Sequence, residues 1–356
     1  MTVGVPVYRG ERFVGETLRS LQAQTFDHFA AVLSLDGAQP AAEDACRPFL
    51  EDARFALVTQ PTRLGWVGNA NWLMRHVSTP FFCLLPQDDL IDPLYLETLL
   101  EHARRASEAA VVYCDIRGFG RAETTIEQQS VTGEPVARQL ALLEHHLAGV
   151  AWRGLTRTEA LEATGGMPVN HVDGFAADTV WMAAAARHGE LHRVPRPLYR
   201  KRYHDANEHG TWIEWPLDKR LRAWAVHCSA MLGEALLVPA TQAERRTLWL
   251  AAVGRLVSRR HAVHLIPVRW LTPAARASLV ELFFGEMEAR RVDLPGLLGT
   301  DAGALRRQAL EHVEGLEASA DGRLRRGAQR LAGRLGGVGP ARAVNRAVGS
   351  LRLERG

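Results

Sequence analysis

The feature that most constrains this 356-residue chain is the regular alternation of apolar and amphipathic segments over its first 115 residues. Short apolar runs are typical of buried β-strands, and segments with apolar residues at helical spacing separate them. Because continuous apolar strands are buried on both faces, the alternation predicts an α/β domain with a mostly parallel central sheet covered by helices on both faces. The predicted strands are Thr2–Tyr8, Phe29–Asp36, Phe55–Pro61, Phe81–Pro86 and Ala109–Asp115.

The composition predicts a globular protein of enzyme size. Hydrophobic residues make up 47% of the chain, and the net charge of +3 is too small to favour nucleic acid as a partner. No apolar run reaches the roughly 18 residues of a membrane span, and the N-terminus enters a strand without a signal-peptide pattern. No cysteines form a C-x-x-C pair, and Cys83 and Cys114 lie in predicted strands. We therefore expect a reducing, cytoplasmic compartment.

The chain changes character after about residue 210. Residues 1–210 carry the predicted α/β domain, and residues 211–320 are dominated by helical patterns, including a capping box formed by Thr241 and Glu244. Residues 321–356 are rich in Arg and Gly. We expect this segment to be a solvated, disordered tail, and peripheral contact with an anionic membrane surface is the alternative.

Polar residues stand where several predicted strands end. Tyr8, Asp36, the pair Asp88–Asp89 and Asp115 each occupy such a position. Ligands of open α/β sheets bind outside the carboxyl ends of the strands. The sequence therefore predicts a binding site at this edge of the sheet.

Three carboxylates follow the fourth predicted strand. Asp92 precedes Pro93, and this pair is a favourable helix start that needs no functional explanation. Asp88 and Asp89 are adjacent, and two charges about 4 Å apart repel by about 4 kcal/mol at an effective dielectric constant of 20. In a cleft such a pair favours a cation, whereas on an open loop it has no special role. Carboxylates suit Mg²⁺ or Mn²⁺, and Mg²⁺ commonly completes its shell with substrate phosphates.

Five motifs follow one another along about the first 205 residues. They are VGVPVYRGERFVGETLRSLQAQTFDHF, LSLDGA, RLGWVGNANWL, LLPQDDLIDPLYLETLL and GFAADTVWMAAAARHGELHRVPRPLYRKRYH. Taken in order, these segments resemble family 2 glycosyltransferases of the Rossmann-like GT-A fold. The resemblance implies transfer of a sugar, with inversion, from a nucleotide-diphosphate sugar to a hydroxyl of a saccharide or other acceptor. It also implies a divalent metal and a role in polysaccharide or glycoconjugate biosynthesis, in the cytoplasm or at the inner face of the membrane.

The same resemblance implies roles for individual residues. Asp178 matches the general base of the acceptor side, with Asp173 as a competing candidate. The metal is expected at Asp88, Asp89 and His204. The basic run Arg200–Arg202 either binds the diphosphate or faces water. The nucleotide is expected to contact Pro6, Val7, Tyr8, Asp36, Arg63, Gly65, Asn71 and Asp88.

The sequence departs from the family pattern at several positions. Pro86 stands where the acidic motif D-x-D-D often has its first carboxylate, Ala177 where a glutamate often precedes the base, and Arg9 and Arg63 where asparagines are common. A catalytically impaired, GT-A-like binding protein is therefore one alternative. A sugar-phosphate nucleotidyltransferase is another, although a Gly-rich loop would then be expected after the first strand. No G-x-G-x-x-G motif follows that strand, which disfavours nicotinamide binding. We expect specificity to depend on the polar segment 117–136, predicted as a mobile loop, and on the helical region.

Overall fold

The computed structural model describes residues 1–144, 148–205, 207–258, 265–266 and 271–316. Its centre is a nine-stranded sheet. The strands are β1 (Thr2–Val7), β2 (Ala30–Leu35), β3 (Phe55–Thr59), β4 (Phe81–Leu84), β5 (Leu90–Ile91), β6 (Ala109–Gly120), β7 (Thr124–Ile126), β8 (Leu155–Arg157) and β9 (Glu190–Tyr203).

The sheet is mixed but mostly parallel in its long strands. The spatial order is β3-β2-β1-β4-β8-β6-β9-β5, with β7 paired to β6. Strands β1, β2, β3 and β4 pair in parallel, and β6 pairs in parallel with β9. The short β8 lies antiparallel between β4 and β6. Because two antiparallel pairings restore the direction, β4, β6 and β9 all end at the same edge of the sheet.

Helices cover the sheet and form the C-terminal part of the described chain, which confirms the predicted fold class. The helices are α1 (Val14–Gln22), α2 (Pro40–Cys46), α3 (Gly65–Arg75), α4 (Tyr95–Arg105), α5 (Pro135–Glu144), α6 (Ala148–Ala151), α7 (Thr158–Thr164), α8 (Ala177–His188), α9 (Glu208–Ile213), α10 (Leu217–Ala235), α11 (Gln242–Leu256), α12 (Pro273–Ala289) and α13 (Leu294–Leu298). Residues 302–316 are also helical, and Arg47–Glu51 form a 3₁₀ turn.

Helix α4 illustrates how the sequence covers the sheet. Its residues Leu96, Leu99, Leu100 and Ala103 recur at helical spacing and are buried. Complete burial of one leucine side chain contributes about 1.5–3 kcal/mol, so this stripe holds the helix against β6. The predicted start at Asp92 is close to the observed one. Asp92 Oδ1 accepts a hydrogen bond from the Leu94 amide at 3.0 Å, and the helix begins at Tyr95.

The prediction of a loop over residues 117–136 is wrong for its first part. Strand β6 continues to Gly120, and β7 pairs with it. The reason is the length of β9, which offers hydrogen-bonding partners to β6 as far as Tyr203. The segment is polar, so its own sequence does not indicate a strand. The strand forms because of a pairing partner that lies about 80 positions away in the chain.

The C-terminal helices pack on the α/β part. Helix α10 packs against α8 and α12, and α11 packs against α5. The capping box is present as predicted, with the Thr241 hydroxyl accepting from the Glu244 amide and Glu244 accepting from the Thr241 amide. The predicted domain boundaries remain predictions, and the Arg/Gly-rich segment 321–356 lies outside the described residues. Within the described ranges, no helix is both long and apolar enough to span a bilayer.

Candidate active site

The ends of β1, β2, β4 and β9 bring the predicted site residues to one edge of the sheet. Tyr8 and Asp36 directly follow β1 and β2, the segment Pro86–Asp89 follows β4, and His204 follows β9. The predicted convergence of polar groups at the carboxyl ends of the strands is therefore present for these residues. The prediction is wrong for Asp115, because β6 continues past it to Gly120 and its carboxylate accepts hydrogen bonds of 2.6 and 2.8 Å from Arg193 of β9.

Asp88 and His204 form the centre of this edge. Asp88 Oδ2 lies 2.8 Å from His204 Nε2 and 3.4 Å from Asn207 Nδ2. The imidazole packs against Phe13 in a tilted arrangement, with ring centroids 4.7 Å apart. The Asp88 and His204 side chains are 20% and 17% exposed, so solvent reaches them. Two residues 116 positions apart in the chain thus present an oxygen and a nitrogen to the same small volume.

The neighbouring Asp89 has a different environment. It is buried, and its Oδ2 accepts from Tyr199 Oη at 2.8 Å and Arg153 Nε at 3.3 Å. Its Oδ1 accepts from the amide of Arg202 at 2.8 Å. Burial raises the pKa of Asp89, and the field of Arg153 opposes this rise. Both carboxylate oxygens therefore bind protein donors, and the predicted metal ligation by Asp89 stays a prediction that this geometry does not favour.

Arg153 is the buried partner of Asp89. Its guanidinium lies over the Trp152 ring at 4.1 Å and 5.8 Å from the centre of the Tyr199 ring. Its side chain is only 10% exposed. The sequence interpretation missed Arg153 and Tyr199. A tyrosine in a basic strand and an arginine before a short strand carry no pattern that distinguishes them from surface residues.

Asp178 is the second residue of α8 and is half-buried. Its Oδ1 accepts from the Thr179 amide at 2.8 Å. Burial raises the pKa of Asp178, while Arg153, the Thr179 amide and Lys201 act in the opposite direction. The competing candidate, Asp173, is 68% exposed and pairs with Lys219 of α10 at 2.7 Å. The two candidates therefore differ in environment: Asp178 is partly buried near Arg153 and Lys201, whereas Asp173 is exposed and paired with Lys219.

Lys201 on β9 lies among these acidic groups. Burial and, to a smaller extent, Arg153 lower the pKa of Lys201, which is about 8. Asp89, Asp178 and Asp88 act in the opposite direction, which shows that Lys201 is within electrostatic range of all three. Of the basic run Arg200–Arg202, both Lys201 and Arg202 therefore lie at the site. Arg202 binds the Asp88 carbonyl at 2.9 Å and Glu16 at 2.8 Å.

The residues expected to contact the nucleotide divide into two groups. Asp36 accepts hydrogen bonds from the amides of Leu64 and Gly65 at the start of α3. Arg63 lies over the Tyr8 ring at 4.2 Å, and its Nε is 4.0 Å from Asp36. Tyr8, Asp36, Arg63 and Gly65 thus form one patch, and Gly65 has the positive φ of +74° that favours glycine.

The other predicted nucleotide contacts lie further inside. The Asn71 amide exchanges two hydrogen bonds of 2.8 Å with the backbone of Met167. Val7 is fully buried, and Pro6 precedes it in β1. The side chains of Val7 and Asn71 are buried, whereas Pro6 is partly exposed. Their predicted contacts remain predictions.

Gln87 shows what accompanies Pro86 in the altered acidic motif. The Gln87 side chain accepts from the Tyr8 amide and donates to the Tyr8 carbonyl, both at 2.8 Å. A Cβ on Gly10 would lie 2.1 Å from Gln87 Oε1, so glycine is required there for this contact. The side-chain amide of Gln87 therefore attaches the segment Pro86–Asp89 to the end of β1. The first position of the acidic motif, Pro86, offers no carboxylate.

The sheet and the helices that cover it form a GT-A fold. The profile of glycosyl transferase family 2 matches residues 2–168, and this part of the chain belongs to that family. A glycosyltransferase GlyA from Streptococcus pneumoniae serotype 4 is 29% identical over 99 residues, which are 28% of this chain and 14% of that protein. The chain thus spans about a seventh of that curated relative.

Solved structures resemble the chain over most of its length. TarS residues 1–349 from S. aureus have a TM-score of 0.64 at 15% identity, with 90% of both chains covered. The same TarS fragment in complex with UDP-GlcNAc has a TM-score of 0.64 at 14% identity, with 90% of this chain and 91% of the other covered. The mannosyltransferase PcManGT from Pyrobaculum calidifontis, in complex with GDP-Man and Mn²⁺, has a TM-score of 0.50 at 16% identity, covering 89% and 86%. At these identities the likeness shows the fold.

Proposed function

We propose that the protein is a metal-dependent, inverting glycosyltransferase that moves a sugar from a nucleotide-diphosphate sugar to an acceptor hydroxyl. The observation that carries this proposal is the contact between Asp88 and His204 at the carboxyl edge of the sheet. Lys201 lies within electrostatic range of Asp88. Asp178 lies within electrostatic range of the same lysine. Membership of glycosyltransferase family 2 supports sugar transfer.

The donor set at Asp88 and His204 fits a divalent cation. A carboxylate oxygen and an imidazole nitrogen 2.8 Å apart are close enough to bind the same ion, and both side chains are partly exposed. Imidazole is a better ligand for transition metals than for Mg²⁺, so this pair favours Mn²⁺ over Mg²⁺. When bound, the cation would stabilise the negative charge of the departing diphosphate. Asp89 is left out of this set because its oxygens bind Arg153, Tyr199 and Arg202.

The protein's own groups supply the remaining chemistry. Asp178 accepts the proton of the attacking hydroxyl, a role for which its raised pKa makes it a stronger base than an ordinary aspartate. Lys201 adds a positive charge beside the leaving diphosphate. A single displacement, with the base on one side of the anomeric carbon and the cationic groups on the other, inverts that carbon.

The nucleotide binds the patch formed by Tyr8, Asp36, Arg63 and Gly65 in this proposal. Related structures hold UDP, UDP-GlcNAc or GDP-Man, which supports a nucleotide-diphosphate sugar as the donor. The acceptor is a saccharide or another hydroxyl-bearing molecule in polysaccharide or glycoconjugate biosynthesis. Cytoplasmic location and membrane contact through the basic tail remain predictions from the sequence.

Removal of one metal-binding side chain tests this assignment directly. A nucleoside diphosphate with Mn²⁺ should raise the melting temperature of the native protein, and a chelator should cancel the increase. Asp88→Asn and His204→Ala should each weaken Mn²⁺-dependent nucleotide binding by tenfold or more, about 1.4 kcal/mol, because each removes one ligand. Calorimetric titration measures this loss.

Asp92→Asn is the matched control for this experiment. It changes a carboxylate in the same segment that only closes the turn before α4, so its nucleotide binding should equal that of the native protein. Absence of any melting-temperature increase with UDP or GDP and Mn²⁺ would count against the proposal. Release of pyrophosphate from a nucleoside triphosphate would favour a nucleotidyltransferase instead.

The pH dependence of donor turnover should reflect both perturbed groups. Because the pKa of Asp178 is raised, the carboxylate becomes an active base only above the ordinary aspartate value of about 3.9. Because the pKa of Lys201 is lowered to about 8, its charge is lost as the pH rises through that value, and activity should decline there. Lys201→Arg should move the alkaline decline upward, since a guanidinium stays charged. If the decline of donor turnover at alkaline pH were unchanged in Lys201→Arg, the charge of Lys201 would have no role in the reaction.

A further inference from the structure

A second group of titratable side chains lies at the opposite edge of the sheet. Glu190 and His192 are at the start of β9, Glu108 immediately precedes β6, and His102 is in the last turn of α4. We name these four residues the basal cluster. In the β6–β9 ladder, His192 lies opposite Val112, and Tyr203 lies opposite Gly120 at the far end. The distance along β6 from Val112 to Gly120 is about 26 Å at ~3.3 Å per residue. The basal cluster is therefore separate from the Asp88–His204 site.

The basal cluster has the dimensions of a metal site. His192 Nε2 lies 2.7 Å from Glu190 Oε2 and 3.9 Å from Glu108 Oε1. One ligand atom from each of the three residues lies within 4.8 Å of the others, and this is the one group of three found in the described part of the chain. Ligands at about 2.0–2.2 Å from a zinc ion are themselves roughly 3.0–3.6 Å apart. Glu108, whose side chain is 55% exposed, can make the small adjustment.

His102 is placed to orient the imidazole of His192. His102 Nε2 lies 3.1 Å from His192 Nδ1, the ring nitrogen that faces away from the glutamates. The second nitrogen of a metal-bound histidine is commonly held by a hydrogen-bonding partner. A carboxylate only accepts, so the contact with Glu190 requires a proton on His192 Nε2. A metal on Nε2 would displace that proton; Nδ1 would then donate to His102 Nε2, whose own proton would lie on Nδ1 of His102.

The surroundings of the cluster contain two arginines. Arg105 is near His102, and Arg138 is near Glu190. The side chains that remain as ligands are two glutamates and one histidine.

We propose that the basal cluster binds one zinc ion through His192, Glu190 and Glu108, with His102 orienting the imidazole. The ion would join the start of β6 to the start of β9. Through Glu190, which also accepts from the Gly133 amide at 2.7 Å, it would fix the segment that precedes α5. Its role is structural, because it lies at the edge of the sheet remote from the nucleotide patch.

Zinc binding by the full-length protein tests the proposal without any measurement of activity. Chelator-treated protein is dialysed against Zn²⁺, and bound metal is measured by mass spectrometry, with affinity from calorimetric titration. Because Asp88 and His204 could also take zinc, the measurements use Asp88→Asn protein as the reference. We expect the Asp88→Asn reference to bind one equivalent of zinc. The double variant, Asp88→Asn with His192→Ala, should bind none. His102→Ala should weaken zinc binding by about 10–100-fold.

Two further variants keep the result interpretable. Glu108→Gln alters an exposed side chain, so it should fold normally and still bind zinc more weakly. His28→Ala removes an exposed histidine beside Asp27 and should bind zinc like the reference. Equal zinc binding by the reference and His192→Ala, or normal affinity in both Glu108→Gln and His102→Ala, would overturn the proposal.

Discussion

Replacement of Asp178 by asparagine should lower the rate of sugar transfer by about 10²–10⁴-fold, the usual contribution of a general base. Asparagine keeps the size of the side chain and its contact with the Thr179 amide, but it cannot accept the proton of the attacking hydroxyl. Donor binding should persist, because the nucleotide patch and the Asp88–His204 pair are unchanged. The measurement is nucleoside diphosphate release under saturating donor, together with the donor dissociation constant from calorimetry.

Asp173→Asn is the control for this prediction. Asp173 is five residues away, is exposed and pairs with Lys219, so its loss should leave the turnover rate close to that of the native protein. If Asp173→Asn abolished turnover and Asp178→Asn did not, the assignment of the base would be reversed. If neither variant changed turnover, the carboxylates of this segment would have no part in proton transfer, and the impaired-relative interpretation would gain support.

Asp89→Asn should destabilise the protein, in contrast to the same change at Asp88. The substitution leaves Arg153 buried without its counter-charge, and breaking such a buried pair costs about 3–5 kcal/mol in the free energy of unfolding. Asp88 is partly exposed and bonds to His204 and Asn207, so Asp88→Asn should lower metal-dependent binding with little effect on stability. Urea denaturation of both variants measures the difference.

The Arg153→Met variant completes this comparison. Combined with Asp89→Asn, it removes both charges, and the double variant should be more stable than the sum of the single changes implies. One result would instead support the metal-binding role that the sequence suggested for Asp89. If Asp89→Asn unfolded at the same urea concentration as Asp88→Asn and lost Mn²⁺-dependent nucleotide binding, Asp89 would be a metal ligand.

The edge of the sheet that carries the site could be predicted from local patterns. Strand periodicity and the polar residues at strand ends located Tyr8, Asp36 and Asp88, and the family resemblance located Asp178 and His204. The different environments of Asp88 and Asp89 could not be predicted, because the residues are adjacent and chemically identical. What separates them is Arg153 and Tyr199, which lie 64 and 110 positions from Asp89 and are brought to it only by the fold.

Long-range pairing also explains the errors in the predicted elements. The segment after Asp115 is polar and lacks clear periodicity, yet β6 continues because β9 supplies hydrogen-bonding partners. Pro86 was recognised as a departure from the family motif, but the contact of Gln87 with Tyr8 was not. A side-chain amide that binds a backbone 79 positions away leaves no local pattern.

The irregular pairing of β9 with β6 has a consequence for the whole reaction centre. Cys114 pairs with Val194 and Ile116 with Tyr199, so β9 uses five residue steps where β6 uses two. Side chains alternate between faces along a strand, and a shift of one residue reverses every later one. A deletion between Val194 and Tyr199 that shifted the later pairing by one residue, instead of shortening the bulge, would turn the phenol away from Asp89 and Lys201 away from the acidic groups, although no active-site residue had been changed. The pairing register after this bulge, which depends on the number of residues in it and not on their type, determines which side chains of β9 face the reaction centre.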